Sequence, residues 1–251
     1  MATPIENAHD RLIERLEFLG RLQDDEKIAL QALPLRVRDF DEDSDLIRQG
    51  DKPTECCLIL RGLACRYKMV SGGRRQILSI HFTGDLPDLQ GLELEVMDHG
   101  ISALTPVRAA FIPHEQVLSL WRRYPNVGEL LMRQLLIDAS IFREWIANIE
   151  RRAAYDRIAH LFCEIFVRMK SLKLAEQDSF RLPMTQAEIG DATALSTVHV
   201  NRVLQQLRRD NLIASTGDVH AISDWEGLRR AGDFDDAYLH HLSNRRISGL
   251  D

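Results

Sequence analysis

The stretch at residues 184–213, MTQAEIGDATALSTVHVNRVLQQLRRDNLI, constrains this chain more than any other. It predicts two short helices joined by a tight turn. Thr185 can cap the first, and Glu188 stands three residues on, the spacing of a capping box that satisfies the first free amides of a helix. Ile189 and Ala192 give that helix an apolar face. A break follows at Thr193-Ala194-Leu195, and Ser196 offers a second cap hydroxyl. Val200, Val203, Leu204 and Leu207 recur at helical spacing and bury one side of the second helix. The other side carries Thr197, Val198, His199, Asn201, Arg202 and Gln205, side chains able to reach base edges and phosphates. An ordinary helical hairpin with a polar outer face would show the same two-helix pattern. Residues 212–222 separate the two readings: Leu212-Ile213 as a strand, a turn at Gly217-Asp218 and a returning strand at 219–222 form a β-hairpin wing.

The 251 residues suffice for two domains. The charged fraction of 28% and hydrophobic fraction of 45% are those of a soluble globular protein. No apolar run is long enough to span a bilayer. The N-terminal MATPIENAHDRLIERL lacks the apolar core of a secretory signal, so a cytoplasmic protein without a membrane partner is expected. The net charge of −6 disfavours a nonspecific coat on nucleic acid. Around the helix pair, the four arginines Arg181, Arg202, Arg208 and Arg209 face three acids, Glu188, Asp191 and Asp210. DNA binding is therefore argued from geometry and draws little on charge. Cys56, Cys57, Cys65 and Cys163 form no CxxC pair and read as core thiols. His81, His99, His114 and His160 could ligate haem in principle, but none sits in a haem motif. A jelly-roll metal enzyme would need an HxH pair, and none occurs, so enzymatic activity and a bound cofactor are not expected.

Residues 8–33 predict two short amphipathic helices, the first lined by Leu12, Leu16 and Leu19 and the second capped by Asp24 and stopped by Pro34. From Arg36 to Pro113 the texture changes to short alternating segments at 46–47, 57–60, 63–67, 76–82 and 107–112. Gly50, Gly62, Gly73 and Gly84 punctuate them at intervals of 12, 11 and 11 residues, the rhythm of a double-sheet β structure such as a jelly roll. The acidic segment 85–99, DLPDLQGLELEVMDH, reads as a solvated loop, or as a place where Asp88, Glu93, Glu95, Asp98 and His99 hold a cation or basic group. Beyond it, Pro125 suits the first turn of a helix running to about Glu150. Leu131, Leu135, Asp138, Phe142, Trp145 and Ile149 follow the 4-3-4-3-4 spacing of a coiled-coil seam, with Val127, Leu130, Ile137 and Ile141 as a second apolar flank. Two stripes predict a homodimer helix that also packs on its own sensor; a fully internal helix in a monomer is the alternative. Residues 154–169 predict a further helix, 170–179 a loop, Asp224 the cap of a helix through Leu228, and 232–251 a peripheral tail.

Thr185, Glu188-Ile189-Gly190, Ser196 and the run Val200-Asn201-Arg202-Val203-Leu204 resemble the winged helix-turn-helix of the CRP/FNR family of bacterial transcription regulators. Arg157-Ile158-Ala159, and the turns at Gly50-Asp51, Gly62 and Gly84-Asp85, also resemble the family pattern. The resemblance implies an α+β chain: a β-roll (double-stranded β-helix, or jelly-roll) sensor at 1–124, a dimerisation helix at 125–152 and a winged helix-turn-helix domain with its C-terminal tail at 153–251. It implies a homodimer on inverted-repeat DNA, working with RNA polymerase. Arg202 matches the family's base-reading arginine, and Thr197 and Val198 replace residues that are commonly polar or charged. Asn201 can read adenine or hold a phosphate, while Thr185, Gln186, Ser196 and His199 are assigned to the DNA backbone. Two departures limit the effector. The cyclic-nucleotide cassette needs an arginine where Gly100-Ile101-Ser102-Ala103 places Ile101, so cyclic AMP is not expected. Iron–sulfur members carry an N-terminal cysteine cluster, and residues 1–55 contain no cysteine. The effector stays unassigned. A ligand-binding or scaffolding protein, whose helical domain meets protein instead of DNA, is the competing reading.

Overall fold

The computed structural model describes residues 4–240. These form two compact units, one of residues 4–68 and 80–139, the other of residues 69–79 and 140–240.

The first unit opens with helices α1 (Pro4–Leu19) and α2 (Asp24–Gln31). Gln23, not Asp24, caps α2, its backbone N–H donating to Glu26 Oε2 at 2.7 Å. Seven strands follow along the chain, the end of the fourth and most of the fifth belonging to the second unit: β1 (Arg36–Phe40), β2 (Asp45–Ile47), β3 (Glu55–Arg61), β4 (Ala64–Val70), β5 (Arg74–His81), β6 (Gly100–Ala103) and β7 (Val107–Pro113). They make two antiparallel sheets, in orders β1-β7-β3 and β2-β6-β4-β5. The four punctuating glycines hold φ values of +91°, +93°, +72° and +92°, a region that side-chain-bearing residues avoid. Ile47, Cys57, Ile59, Ala64, Ile101, Ala103, Val107, Ala109 and Phe111 fill the space between the sheets. The cysteines are free and buried, as core thiols should be. Strands β1 and β6 go unpredicted, because the polar RVRDF and the small-residue GISA carry no apolar alternation.

Helix α3 (His114–Arg123), also unread in the sequence, leads into α4 (Pro125–Arg151). The predicted seam on α4 needs correction. Leu131, Asp138 and Trp145 are buried within the chain, while the exposed apolar side chains lie one residue on, at Met132, Leu136 and Ile146. Asp138 is turned inward by an ion pair with Arg66 at 3.0 Å. Trp145 is turned inward by hydrogen bonds from its indole N–H to Glu164 at 3.1 and 3.0 Å.

In the second unit, α5 (Ala154–Ser171) is the central helix, with Ile158, Phe162, Ile165 and Phe166 buried. The expected loop after it instead forms β8 (Ala175–Glu176), followed by β9 (Ser179–Arg181). Helices α6 (Gln186–Thr193) and α7 (Thr197–Arg209) come next, then β10 (Ile213–Thr216), β11 (Val219–Ile222) and α8 (Trp225–Ala231). The wing hairpin joins the two short strands in one antiparallel sheet, β10-β11-β9-β8. The first part of the tail is integral, where the sequence predicts a peripheral extension. Phe234 and Leu239 are buried, and Tyr238 donates to the fully buried Glu164 at 2.8 Å while stacking on His160. A buried carboxylate needs such donors, and Trp145, Arg168 and Tyr238 supply them. Residues 241–251 lie outside the described residues.

Candidate nucleic-acid interface

Helix α6 begins as its capping box dictates. Glu188 N donates to Thr185 Oγ1 at 3.2 Å, and Thr185 N donates to Glu188 Oε2 at 2.7 Å. The turn after it is tight. A Cβ on Gly190 would meet the Leu195 carbonyl oxygen at 2.5 Å, so only glycine lets the chain fold back there. Ala194 takes the left-handed position at φ 53°, and Leu195 N bonds to Gly190 O at 3.0 Å. Arg157 of α5 clamps the same corner, donating to Thr193 O at 2.7 Å and to Arg152 O at 3.0 Å. Ser196 then caps α7 by accepting from His199 N at 3.4 Å.

Val200, Val203, Leu204 and Leu207 are all buried, so α7 can lie only one way on its domain. That leaves Thr197, Val198, His199, Arg202 and Gln205 on the outer face. Val198 is 70% exposed, an unusual setting for a valine at the start of a helix. Arg202 is exposed and has no acidic partner among the described residues, so its guanidinium fork is unengaged. Asn201 is half-buried and engaged at both ends of its amide: Nδ2 donates to Gln186 Oε1 at 3.1 Å, and Oδ1 accepts from Gln205 Nε2 at 2.9 Å. Gln205 lies on the polar face legible in sequence, but its link to Asn201 depends on rotamers that spacing does not encode. Thr185 and Ser196 spend their hydroxyls as caps, and the Ser196 hydroxyl also lies 3.3 Å from His199 Nδ1. Beside α7, the wing turns at Gly217-Asp218 as the sequence predicts, with Thr216 opposite Val219. Asp218 pairs with Arg181 of β9 at 2.6 Å, which holds its carboxyl below the usual range.

Two family models match the chain, in one order: a cyclic nucleotide-binding domain over residues 37–124 and a Crp-like helix-turn-helix domain over residues 156–231. The chain is homologous to transcription regulators of the CRP/FNR family. Among curated relatives, the transcriptional activator protein FnrL of Cereibacter sphaeroides is 28% identical over 221 residues, 86% of this chain and 88% of the relative. The transcriptional activator protein anr of Pseudomonas aeruginosa is 26% identical over 208 residues, 82% and 83% of the two chains. Among solved structures, FixK2 from Bradyrhizobium japonicum shares the fold with a TM-score of 0.72 at 20% identity, over 79% of this chain and 98% of that one.

Seen as a CRP/FNR roll, the first unit fills its cassette region with its own side chains. Ile101 is fully buried in the core. Arg66, 2% exposed, donates to Pro87 O at 2.6 Å and to Asp138 Oδ2 at 3.0 Å. The pairing continues from Asp138 to Gln134 at 3.1 Å, to Arg15 at 2.8 Å and on to Asp85 at 2.9 Å. Asp88, expected in a solvated loop, is fully buried; both its oxygens accept from Cys57 N at 2.8 and 2.9 Å, and burial pushes its carboxyl up to about 7. Of the acidic segment, Glu93 and Glu95 are exposed while Asp85 and His99 are buried. Burial, followed by the Arg66 charge, holds the His81 imidazole below its ordinary pKa. Among the described residues, no cluster of His, Cys, Asp and Glu could hold a metal ion.

Proposed function

We propose that this chain is a sequence-specific, DNA-binding transcription regulator, acting in the cytoplasm as a homodimer on an inverted-repeat operator and working with RNA polymerase. The observation that carries the reading is the two-sided character of α7: four apolar side chains anchor it, and an unengaged Arg202 projects from its outer face. An α-helix fits the major groove of B-DNA, and an arginine fork donates twice to guanine O6 and N7. Val198 and Thr197 present methyl groups at the exposed start of the helix, where they suit the thymine methyl. Thr185, Gln186, Ser196 and His199 flank this edge; the two cap hydroxyls fix helix N-termini, whose free amides favour phosphate.

Dimerisation uses the corrected stripe of α4. Met132, Leu136, Ala139, Arg143 and Ile146 repeat at 4-3-4-3 and share one face, and Leu136 and Ile146 are 61% and 68% exposed. Burying such side chains against the same stripe of a second copy removes apolar surface from water, at about 25 cal/mol per Å². Two copies place two α7 helices in successive major grooves about one helical turn apart. The pair also doubles a modest positive footprint. Cyclic AMP is not the effector, because the roll has Ile101 in place of a counter-charge and engages Arg66 internally. No helix among the described residues is long and apolar enough to cross a membrane.

Arg202→Ala tests the reading. It is expected to weaken operator binding by about 1–3 kcal/mol, concentrated at one base pair per half-site. Gel shifts on an operator series measure this; wild-type affinity with unchanged base preference would refute the role.

A further inference from the structure

Gln186, Asn201 and Gln205 form a chain of three amides across α6 and α7. Gln186 is the first residue of α6, and Asn201 and Gln205 lie one turn apart on α7. A carboxamide has two N–H donors and two acceptor lone pairs. Asn201 gives one donor to Gln186 and one lone pair to Gln205, so one donor and one acceptor remain. That remainder is the complement of the adenine edge in the major groove, where N7 accepts and N6–H donates. The two flanking bonds also fix which end of the amide is which. Rotating Asn201 by half a turn would set oxygen against the Gln186 oxygen and NH2 against the Gln205 NH2. The amide can therefore reverse only if both glutamines reverse with it.

We propose that Asn201 reads one adenine per half-site, beside the base pair read by Arg202, and that Gln186 and Gln205 are positioning residues that hold its amide in the reading orientation. This rests on the DNA-binding role of α7. It assigns Gln205 to specificity and moves Gln186 from the DNA backbone to the support of Asn201. Asn201 spans the contact between the two helices, so the same bonds that tie α7 to α6 hold its amide in place.

The test is selection from a randomised duplex pool with the full chain and four variants. Wild type is expected to enrich a palindrome with a guanine and a neighbouring adenine in each half. Asn201→Ala should lose the adenine preference by about tenfold or more, the discrimination of a good bidentate pair. Gln205→Ala and Gln186→Ala should weaken it several-fold, with the guanine preference intact as an internal control of folding and docking. Gln205→Glu goes further: a carboxylate only accepts, so it repels Asn201 Oδ1 and pulls the amide round. The adenine preference should then vanish. If wild type enriches the palindrome but the glutamine variants keep every base preference, the positioning role is wrong. If Asn201→Ala keeps the adenine, Asn201 does not read it. If wild type enriches no sequence at all, the DNA-binding reading falls and this inference with it.

Discussion

Ala194 carries the corner between the two helices at φ 53°, ψ 41°, a left-handed conformation that costs a residue with a Cβ about 1–2 kcal/mol. Glycine would relieve that strain at some entropic cost, so Ala194→Gly should raise stability by about 1 kcal/mol. Urea unfolding measures it, and a destabilised variant would show that the Ala194 methyl group contributes more packing than strain. Asp88 makes a second prediction, through protonation. Burial raises its folded-state pKa to about 7 from an ordinary 3.8. The folded chain therefore binds a proton that the unfolded chain has lost, and the stability from this group declines as pH rises from 3.8 to about 7. Asp88→Asn keeps the shape without the charge. Its stability relative to wild type should grow across that window and level off above it. Urea midpoints of the two proteins from about pH 5 upward test the sign, and a difference independent of pH would contradict it.

Among the elements, α4 shows where sequence reading succeeds and where it stops. The 4-3-4-3-4 rhythm is real, but two neighbouring stripes share it, one residue apart. Which stripe turns inward is decided by Arg66 and Glu164, distant polar groups that draw Asp138 and Trp145 to them. Periodicity cannot see them. The helix pair α6–α7 is legible because a capping box, the Ser196 cap hydroxyl and apolar spacing act within a few residues. The strands β8 and β9, two and three residues long, are not legible, since both are too short to show alternation and the pairing of β9 with the wing is nonlocal. The docked Tyr238 is hidden for the same reason. The corrected stripe predicts that Leu136→Glu leaves the roll folded and shifts the proposed dimer to protomers, because a symmetric seam would set two like charges against each other. Sedimentation velocity checks this. An unchanged dimer would place the interface elsewhere.

The molecule as a whole carries a sensor roll filled by its own side chains and a domain that presents a reading helix. A single copy offers one short basic edge on a chain of net charge −6, too little for a tight specific site. In the proposed dimer two copies make a symmetric reader, and symmetry in the protein demands symmetry in the operator. Selection of duplexes from a random pool, combined with the mass of the selected complex, reads both properties at once. The expected result is an enriched inverted repeat, half-sites about one helical turn apart, and two chains per duplex. One chain per duplex, or a pool that yields no enriched repeat, would contradict a symmetric reading pair.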